Sequence, residues 1–358
     1  MNWWLHPLPA PQALQALRHD WDRLNREGAN TPLLSTTFML PLLAHFATGR
    51  EILVCRGNSG RLSAMLLLTP LGHGRWQTFQ PSQAPLGACV HQRDLDWIAS
   101  LAELLPRLPG VATLLGITQQ DPDFERRPAD TLSLRTLDYI RTARITLAGS
   151  FEDYWQARGK NLKINLKKQR NRLEREGVRT QLQIDTGANA VREAIVDYGK
   201  LENTGWKGES GTAVHPGNAQ GRFYQQMLEN FCRIGKGRIY RYWYNDTIVA
   251  MDLCIEGGDA LIVLKTAYDE AAAGSTSPAL LMRQEAIADI FSEPQLKRVE
   301  FYGRVLEWHT RWSGEIRTMF HCNLYRWQVL RALRDLMRRE PAVTNADADI
   351  TPDKTQQS

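Results

Sequence analysis

One order of elements, strand, turn, strand, loop, helix, strand, occurs twice along this chain at an offset of about 186 residues. In the first copy, strand-like runs at 51–56 and 62–70 flank Gly57-Asn58-Ser59-Gly60, whose residues accept the positive φ of a hairpin turn. A loop punctuated by Pro and Gly follows at 80–88. Next come an amphipathic helix over 94–108, on Leu95, Ile98, Leu101 and Leu105, and a buried strand over 111–117. In the second copy, strands at 238–244 and 247–256 turn at Asn245-Asp246, a helix covers 278–291, and a strand covers 298–302. Ala64-Met65 and Ala250-Met251 occupy the same place in the two hairpins. Short apolar strands resemble one another, so the order of elements carries the argument rather than two identical residues.

A chain of 358 residues with 43% hydrophobic and 23% charged residues can build two cores at roughly 100–200 residues per domain. The expected division is 1–147 and 148–339, with a polar, disordered tail at 340–358. A further helix is expected over 12–27, on Leu14, Leu17, Trp21 and Leu24 and closed by Gly28, and another over 37–46. Between the halves, Ser150 caps a helix opening Phe151-Glu152-Asp153-Tyr154, and a second helical stretch runs from Asn161 to Gly177. A last helix beyond Tyr325 carries Trp327, Leu330 and Leu333 among arginines.

The net charge of +5 is local. Residues 158–179 hold nine basic residues against Glu174 and Glu176, which leaves the rest of the chain at −2. A dispersed nucleic-acid surface would spread the excess; one segment points to one anionic contact or one solvated helix face. Leu162, Leu166 and Leu173 form one stripe there, and Lys160, Lys163, Lys167 and Arg170 another. Five cysteines without a C-x-x-C pair suit reduced core thiols. No run approaches the roughly 18 apolar residues of a spanning helix, and MNWWLHPLPAPQ lacks the basic flank and apolar run of a signal peptide. The expectation is a cytoplasmic protein with no membrane span.

Several chemistries have no motif here. Neither G-x-G-x-x-G nor G-x-x-x-x-G-K-[ST] occurs, and Gly208-Glu209-Ser210-Gly211 lacks the spacing of a nucleophile elbow. The eight histidines form no metal-binding pair, so no metal is expected.

Four features remain. After a strand at 261–266, Tyr268-Asp269-Glu270 and the small residues through Ser275, Thr276 and Ser277 lead into a helix at Pro278-Ala279-Leu280. Such a stretch serves either as an anion cradle at a helix N-terminus or as an ordinary strand-to-helix loop with Ser277 as N-cap. The basic segment is the second. Third, Trp206 and Lys207 at the end of an amphipathic helix could grip a sugar or an anion, or simply anchor a loop. Fourth, Glu300, Tyr302, Arg304, Glu307, His309, Arg311, Arg317 and His321 crowd the stretch after the last core strand. His309 is the first candidate general base because its ordinary pKa lies near neutrality, with Glu307 or Glu315 to orient it. Glu300 is the second, Tyr268 is a candidate acid, and Arg304 and Glu307 join Trp206 and Lys207 as candidate substrate contacts.

In order, KNLKINLKKQRNRLEREG, GWKG, GRIYRYWYNDTIVAMDL, LKTAYD with STSPALLM, and VEFYGRVLEWHTRW resemble the FemAB-like and CelD-like branch of the GNAT acyltransferase superfamily. The resemblance spans most of the chain. It implies an α/β (α+β) fold of two tandem GNAT-like domains, each a mixed central sheet flanked by helices. It also implies an acyl-CoA co-substrate, acetyl-CoA foremost, whose pyrophosphate would lie at Ser275, Thr276, Ser277, Ala279 and Leu280. Glu300-Phe301 and Trp312 match the branch's last motif, whereas Trp308-His309 replaces its Tyr-Lys pair, so no general acid can be carried over to position 308. The implied activity is acyl transfer to an amine or hydroxyl of a small-molecule or glycan-precursor acceptor of the cell envelope or an exopolysaccharide. Two alternatives stay open: aminoacyl-tRNA as donor, with the basic segment tracking RNA phosphates, and a binding module of a polysaccharide pathway without catalysis.

Overall fold

The structure, a computed structural model, describes residues 2–58, 60–203, 214–272 and 276–337. Its strands are β1 (Asn2–Leu5), β2 (Ile52–Asn58), β3 (Arg61–Gly72), β4 (Arg75–Thr78), β5 (Cys89–His91), β6 (Leu114–Gln120) and β7 (Leu134–Thr146). In the second half follow β8 (Thr180–Asp185), β9 (Gly237–Tyr244), β10 (Thr247–Gly257), β11 (Ala260–Tyr268), β12 (Arg298–Phe301) and β13 (Glu315–Tyr325). They form one mixed sheet in the order β1-β2-β3-β4-β6-β13-β7-β12-β11-β10-β9-β8, with β5 added on β3.

The sequence repeat is a structural repeat. Ala64 lies opposite Arg56 in the β2–β3 hairpin as Ala250 lies opposite Tyr242 in β9–β10, so both hairpins share one register at one offset. Each hairpin leads to a parallel pair, β4 with β6 and β11 with β12. Parallel neighbours need a long crossover, and the helices Trp97–Leu104 and Pro278–Phe291 lie within those connections.

The last strand of each repeat then crosses over. β7 pairs with β12 of the second repeat, and β13 returns to pair with β6 of the first, while β7 and β13 pair with each other. Two sheets that would each have ended on an open edge are thereby joined. The strands on either side of residue 147 belong to one shared sheet.

One face of the sheet carries a core common to both halves. Phe38, on the helix Thr36–Phe46, and Phe223, on Ala219–Arg233, meet edge-on with ring centroids 5.5 Å apart, and Phe46 lies 5.6 Å from Phe223. The opposite face is covered in two parts: by Trp97, Leu101 and Leu104 over the first half, and by Leu162, Leu166, Leu281 and Ile287 over the second.

Several local expectations change. The single helix over 12–27 is two, Ala10–Ala16 and Arg18–Glu27, broken at Leu17, and the break sets Trp21 so that its indole donates to the Leu34 carbonyl at 2.6 Å. The strand expected at 111 begins at Leu114, since Val111 is 65% exposed and Thr113 donates to the Gly74 carbonyl. The strand at 298 is not the last, since the polar stretch from Glu315 forms β13, and the first residues of the chain form β1. The basic stretch is the helix Lys160–Arg175, and the last helix is Gln328–Met337. The tail at 340–358 lies outside the described residues.

Candidate active site

β11 and β12 pair in parallel over only three residues each, Ala260–Ile262 against Arg298–Glu300. β12 ends at Phe301, but β11 runs on to Tyr268, held by β10 on its other side across a register shift at Leu253/Cys254. Beyond Ile262 the β12-facing edge of β11 has no ladder partner among the described strands. The same parting occurs in the first half, where β4 and β6 pair only over 75–77 and 114–116. That wedge is closed. Thr78 and Thr118 share a hydroxyl contact of 2.6 Å, the Thr118 amide donates to Thr78 Oγ1 at 3.0 Å, and Gly87 packs so tightly on both threonines that a Cβ would collide. The parting in the second half is the candidate site.

Glu300 sits at its base, at the last paired residue of β12, with a side chain 3% exposed. Arg317 of β13 reaches its Oε2 at 2.8 Å, and Arg298 reaches Oε1 at 3.2 Å. Arg317 also binds both oxygens of Asp121, just past β6, at 2.8 and 2.7 Å, and the Tyr302 hydroxyl donates to Asp121 Oδ2 at 2.9 Å. Burial, reinforced by the Asp121 charge, pushes the Glu300 carboxyl up to about 7 against the opposing pull of Arg317 and Arg298. A carboxyl held near neutrality can take or give a proton where an ordinary glutamate is spent as a base.

His309 has a different place. It lies on the short helix Glu307–Trp312, is buried, and stacks on Trp308 with centroids 3.6 Å apart. Its Nδ1 accepts the Leu306 amide at 2.9 Å, and burial lowers its pKa to about 4. The ring is neutral at pH 7, with one nitrogen committed to holding the turn. Neither residue expected to orient it does so: Glu307 is exposed and pairs with Arg311 at 2.8 Å, and Glu315 binds Arg144 and Thr146. Arg304 is exposed on the loop between β12 and this helix.

In the expected cradle, the Ser277 amide donates to Gln169 Oε1 at 2.7 Å, which ties the loop to the basic helix. Ser277 occupies the N-cap position of Pro278–Phe291, but its hydroxyl makes no cap bond. Thr276 is buried, donates to the Ala272 carbonyl and accepts from the Tyr244 hydroxyl. Ala279 and Leu280 pack, half-buried, against the second-half core. Tyr268 is exposed at the open end of β11. Ser275, Trp206 and Lys207 lie outside the described residues.

Sequence reasoning missed a second buried ion pair beneath the wedge. Arg283 Nη1 lies 2.5 Å from Asp252 Oδ2, and the Thr266 hydroxyl donates to Asp252 Oδ1 at 2.5 Å. Arg283 also lies over the rings of Phe301 and Trp308. Burial raises the Asp252 carboxyl and Arg283 draws it back down. The available signal was Asp252 itself, an acid inside the apolar run of β10, where an unpaired charge would be too costly to keep. Among the described residues there is no cluster of three or more metal-binding side chains, and no helix long and apolar enough to cross a membrane.

Residues 160–310 match the family model described as an acetyltransferase (GNAT) domain. Three solved structures share the fold across nearly their whole length. FemX is 9% identical, with 93% of this chain and 99% of that one covered at a TM-score of 0.58. A conserved protein of unknown function from Bacteroides thetaiotaomicron is 9% identical, with 86% and 97% covered at 0.55. The C-terminal domain of a protein assigned as a lysylphosphatidylglycerol synthetase from Agrobacterium fabrum is 10% identical, with 90% and 95% covered at 0.54. No curated protein matches the sequence. The chain thus matches a GNAT domain over residues 160–310 and shares its overall fold with FemX.

Proposed function

We propose that the protein transfers an acyl group from an acyl-CoA thioester, acetyl-CoA foremost, to an amine or hydroxyl of a cell-envelope or exopolysaccharide precursor, at the wedge between β11 and β12. The observation that carries this reading is Glu300: a buried carboxyl held near neutrality at the point where two parallel strands part. The edge of β11 beyond its ladder with β12 would receive the thioester carbonyl, and its amides would stabilise the oxyanion. The acceptor nitrogen or oxygen attacks the carbonyl carbon and gives its proton to Glu300, directly or through a water. As the tetrahedral centre collapses the C–S bond breaks, and the thiolate takes a proton from Tyr268 or solvent. Arg317 and Arg298 position Glu300, while His309 shapes the turn beside it. Arg304 and Glu307, exposed on the same segment, would meet the acceptor, and Ser277 with Ala279 and Leu280 would meet the CoA phosphates.

Calorimetric titration with acetyl-CoA tests the donor, and thiol release with amino-sugar acceptors tests the base. Wild type should bind the thioester, Ser277→Asp should lose it by charge repulsion, and Glu300→Gln should bind normally while turnover falls about 10²–10⁴-fold. Failure of wild type to bind any CoA thioester, or full turnover by Glu300→Gln, would overturn the reading.

A further inference from the structure

The helix Lys160–Arg175 turns Leu162, Leu166 and Leu173 into the core and presents Lys160, Ile164, Lys167, Lys168, Asn171 and Arg175 to solvent on the opposite face. The cations at its flanks are engaged: Lys163 with the Gln156 carbonyl, Arg170 with Glu285 at 2.8 Å, Arg172 with Glu176 at 2.7 Å. No ion-pair partner within 4 Å is found among the described residues for Lys160, Lys167 or Lys168. Ile164 lies at the centre of this basic face and is 53% exposed. Glu174, at the margin, is the one acid near it on the helix. The helix also adjoins the wedge, since Gln169 holds the Ser277 amide and Arg170 pairs with the helix that follows the Ser277 loop.

A solvated face explains lysines but not an isoleucine set among them. A strip that binds single-stranded nucleic acid would interleave aromatic rings for stacking, and this face has no aromatic residue; a duplex, tracked through its phosphates alone, would gain nothing from the exposed Ile164 at the centre. Cations ringing an exposed apolar side chain are complementary to a protein helix of the opposite pattern: the ring steers and orients, and the apolar centre supplies a small desolvated contact. The face is about 22 Å long at 1.5 Å per residue, the length of one short helix laid against it.

We infer that this face docks the acidic surface of a carrier protein bearing the acyl group as a phosphopantetheine thioester, and delivers that thioester to the wedge. The inference rests on the acyl-transfer reading above and names the form in which the donor arrives. Bond changes are the same: the acyl C–S bond to the carrier's pantetheine breaks, a C–N or C–O bond to the acceptor forms, the acceptor proton passes to Glu300, and the carrier leaves as its free thiol.

The test is fluorescence-anisotropy titration of a labelled, acetylated bacterial acyl carrier protein with wild type, Lys167→Glu/Lys168→Glu and Ile164→Ser. Each protein is also titrated calorimetrically with acetyl-CoA, and by anisotropy with a labelled RNA duplex. All three substitutions are on the surface, away from the wedge. Expected are binding by wild type that weakens with salt, at least about tenfold weaker binding by the charge-reversed variant and severalfold weaker by Ile164→Ser, with acetyl-CoA binding unchanged in both. Acetyl-CoA binding without carrier binding, or carrier binding that ignores the charge reversal, would overturn the inference and leave the acyl-CoA reading standing. RNA binding through the same lysines, indifferent to Ile164→Ser and unmatched by the carrier, would overturn it in favour of a nucleic acid. Binding of neither acetyl-CoA nor carrier would overturn both.

Discussion

Arg317→Met removes the cation that joins the two halves of the molecule at their most buried charges. It leaves Asp121, with a side chain 0% exposed, supported by the Tyr302 hydroxyl and the Asp123 amide. Glu300, 3% exposed, is left with Arg298 alone. Breaking a buried ion pair on one side costs about 3–5 kcal/mol, because the abandoned charge is neither solvated nor paired. That is a large share of the roughly 5–15 kcal/mol that holds a domain folded. The loss should depend on pH. With Arg317 absent, Glu300 loses the larger of the two pulls that hold its carboxyl down and sits further above its unfolded value in the native state, so the native state binds more protons than the unfolded one. Stability then falls as pH rises through the window between those values, which for Glu300 already runs from 4.5 to about 7 in the wild type. Urea denaturation followed by circular dichroism, at about pH 5 and about pH 8, should show the larger loss at the higher pH. The double variant Asp121→Asn/Arg317→Met should recover part of it. A loss under about 1 kcal/mol, or a larger loss at the lower pH, would refute the view that Arg317 neutralises two desolvated carboxylates.

His309→Ala should leave turnover within a few-fold of wild type while lowering stability by about 1–3 kcal/mol, since it deprives the Leu306 amide of its acceptor. The histidine's lowered pKa contributes stability that grows with pH between about 4 and 6.5, opposite in sign to the Glu300 contribution, and its loss in the variant should make stability fall more steeply with pH over that window; loss of turnover without loss of stability would return the proton-transfer role to His309. Phe223→Ala should cost about 3–5 kcal/mol, because the ring is fully buried between Phe38 and Phe46 of the other half, and thermal melts should keep one cooperative transition. Two separated transitions in that variant would show that the shared core does not couple the halves.

The repeat was legible because hairpins are local objects. The turn residues between β2 and β3 and at Asn245-Asp246, and the alternation around them, are set within a dozen residues, and the identical register of Ala64 and Ala250 in the folded sheet follows from that. Glu300 was legible as a candidate from its company. Its environment was not, because Arg317 comes from another strand and Asp121 from just past β6, nearly 180 residues earlier in the chain. His309 shows the converse. Its residue type pointed to proton transfer near neutrality, whereas burial against Trp308 and a backbone amide leave it neutral and structural.

From the sequence alone came two units in tandem, the helix with its concentrated positive charge, and the stretch where the polar candidates gather, since all of these rest on short-range periodicity and on residue counts. Which strands would be exchanged, which of two equivalent wedges would stay open, and which carboxyl would be held near neutrality were decided only on folding. β7 and β13 each complete the other half's sheet, Gly87 and two threonines close the first wedge, and Glu300 is desolvated by strands from both halves. The physical reason is that edge pairing, steric closure and desolvation depend on which surfaces meet in three dimensions, and residues far apart in the chain meet only through the fold.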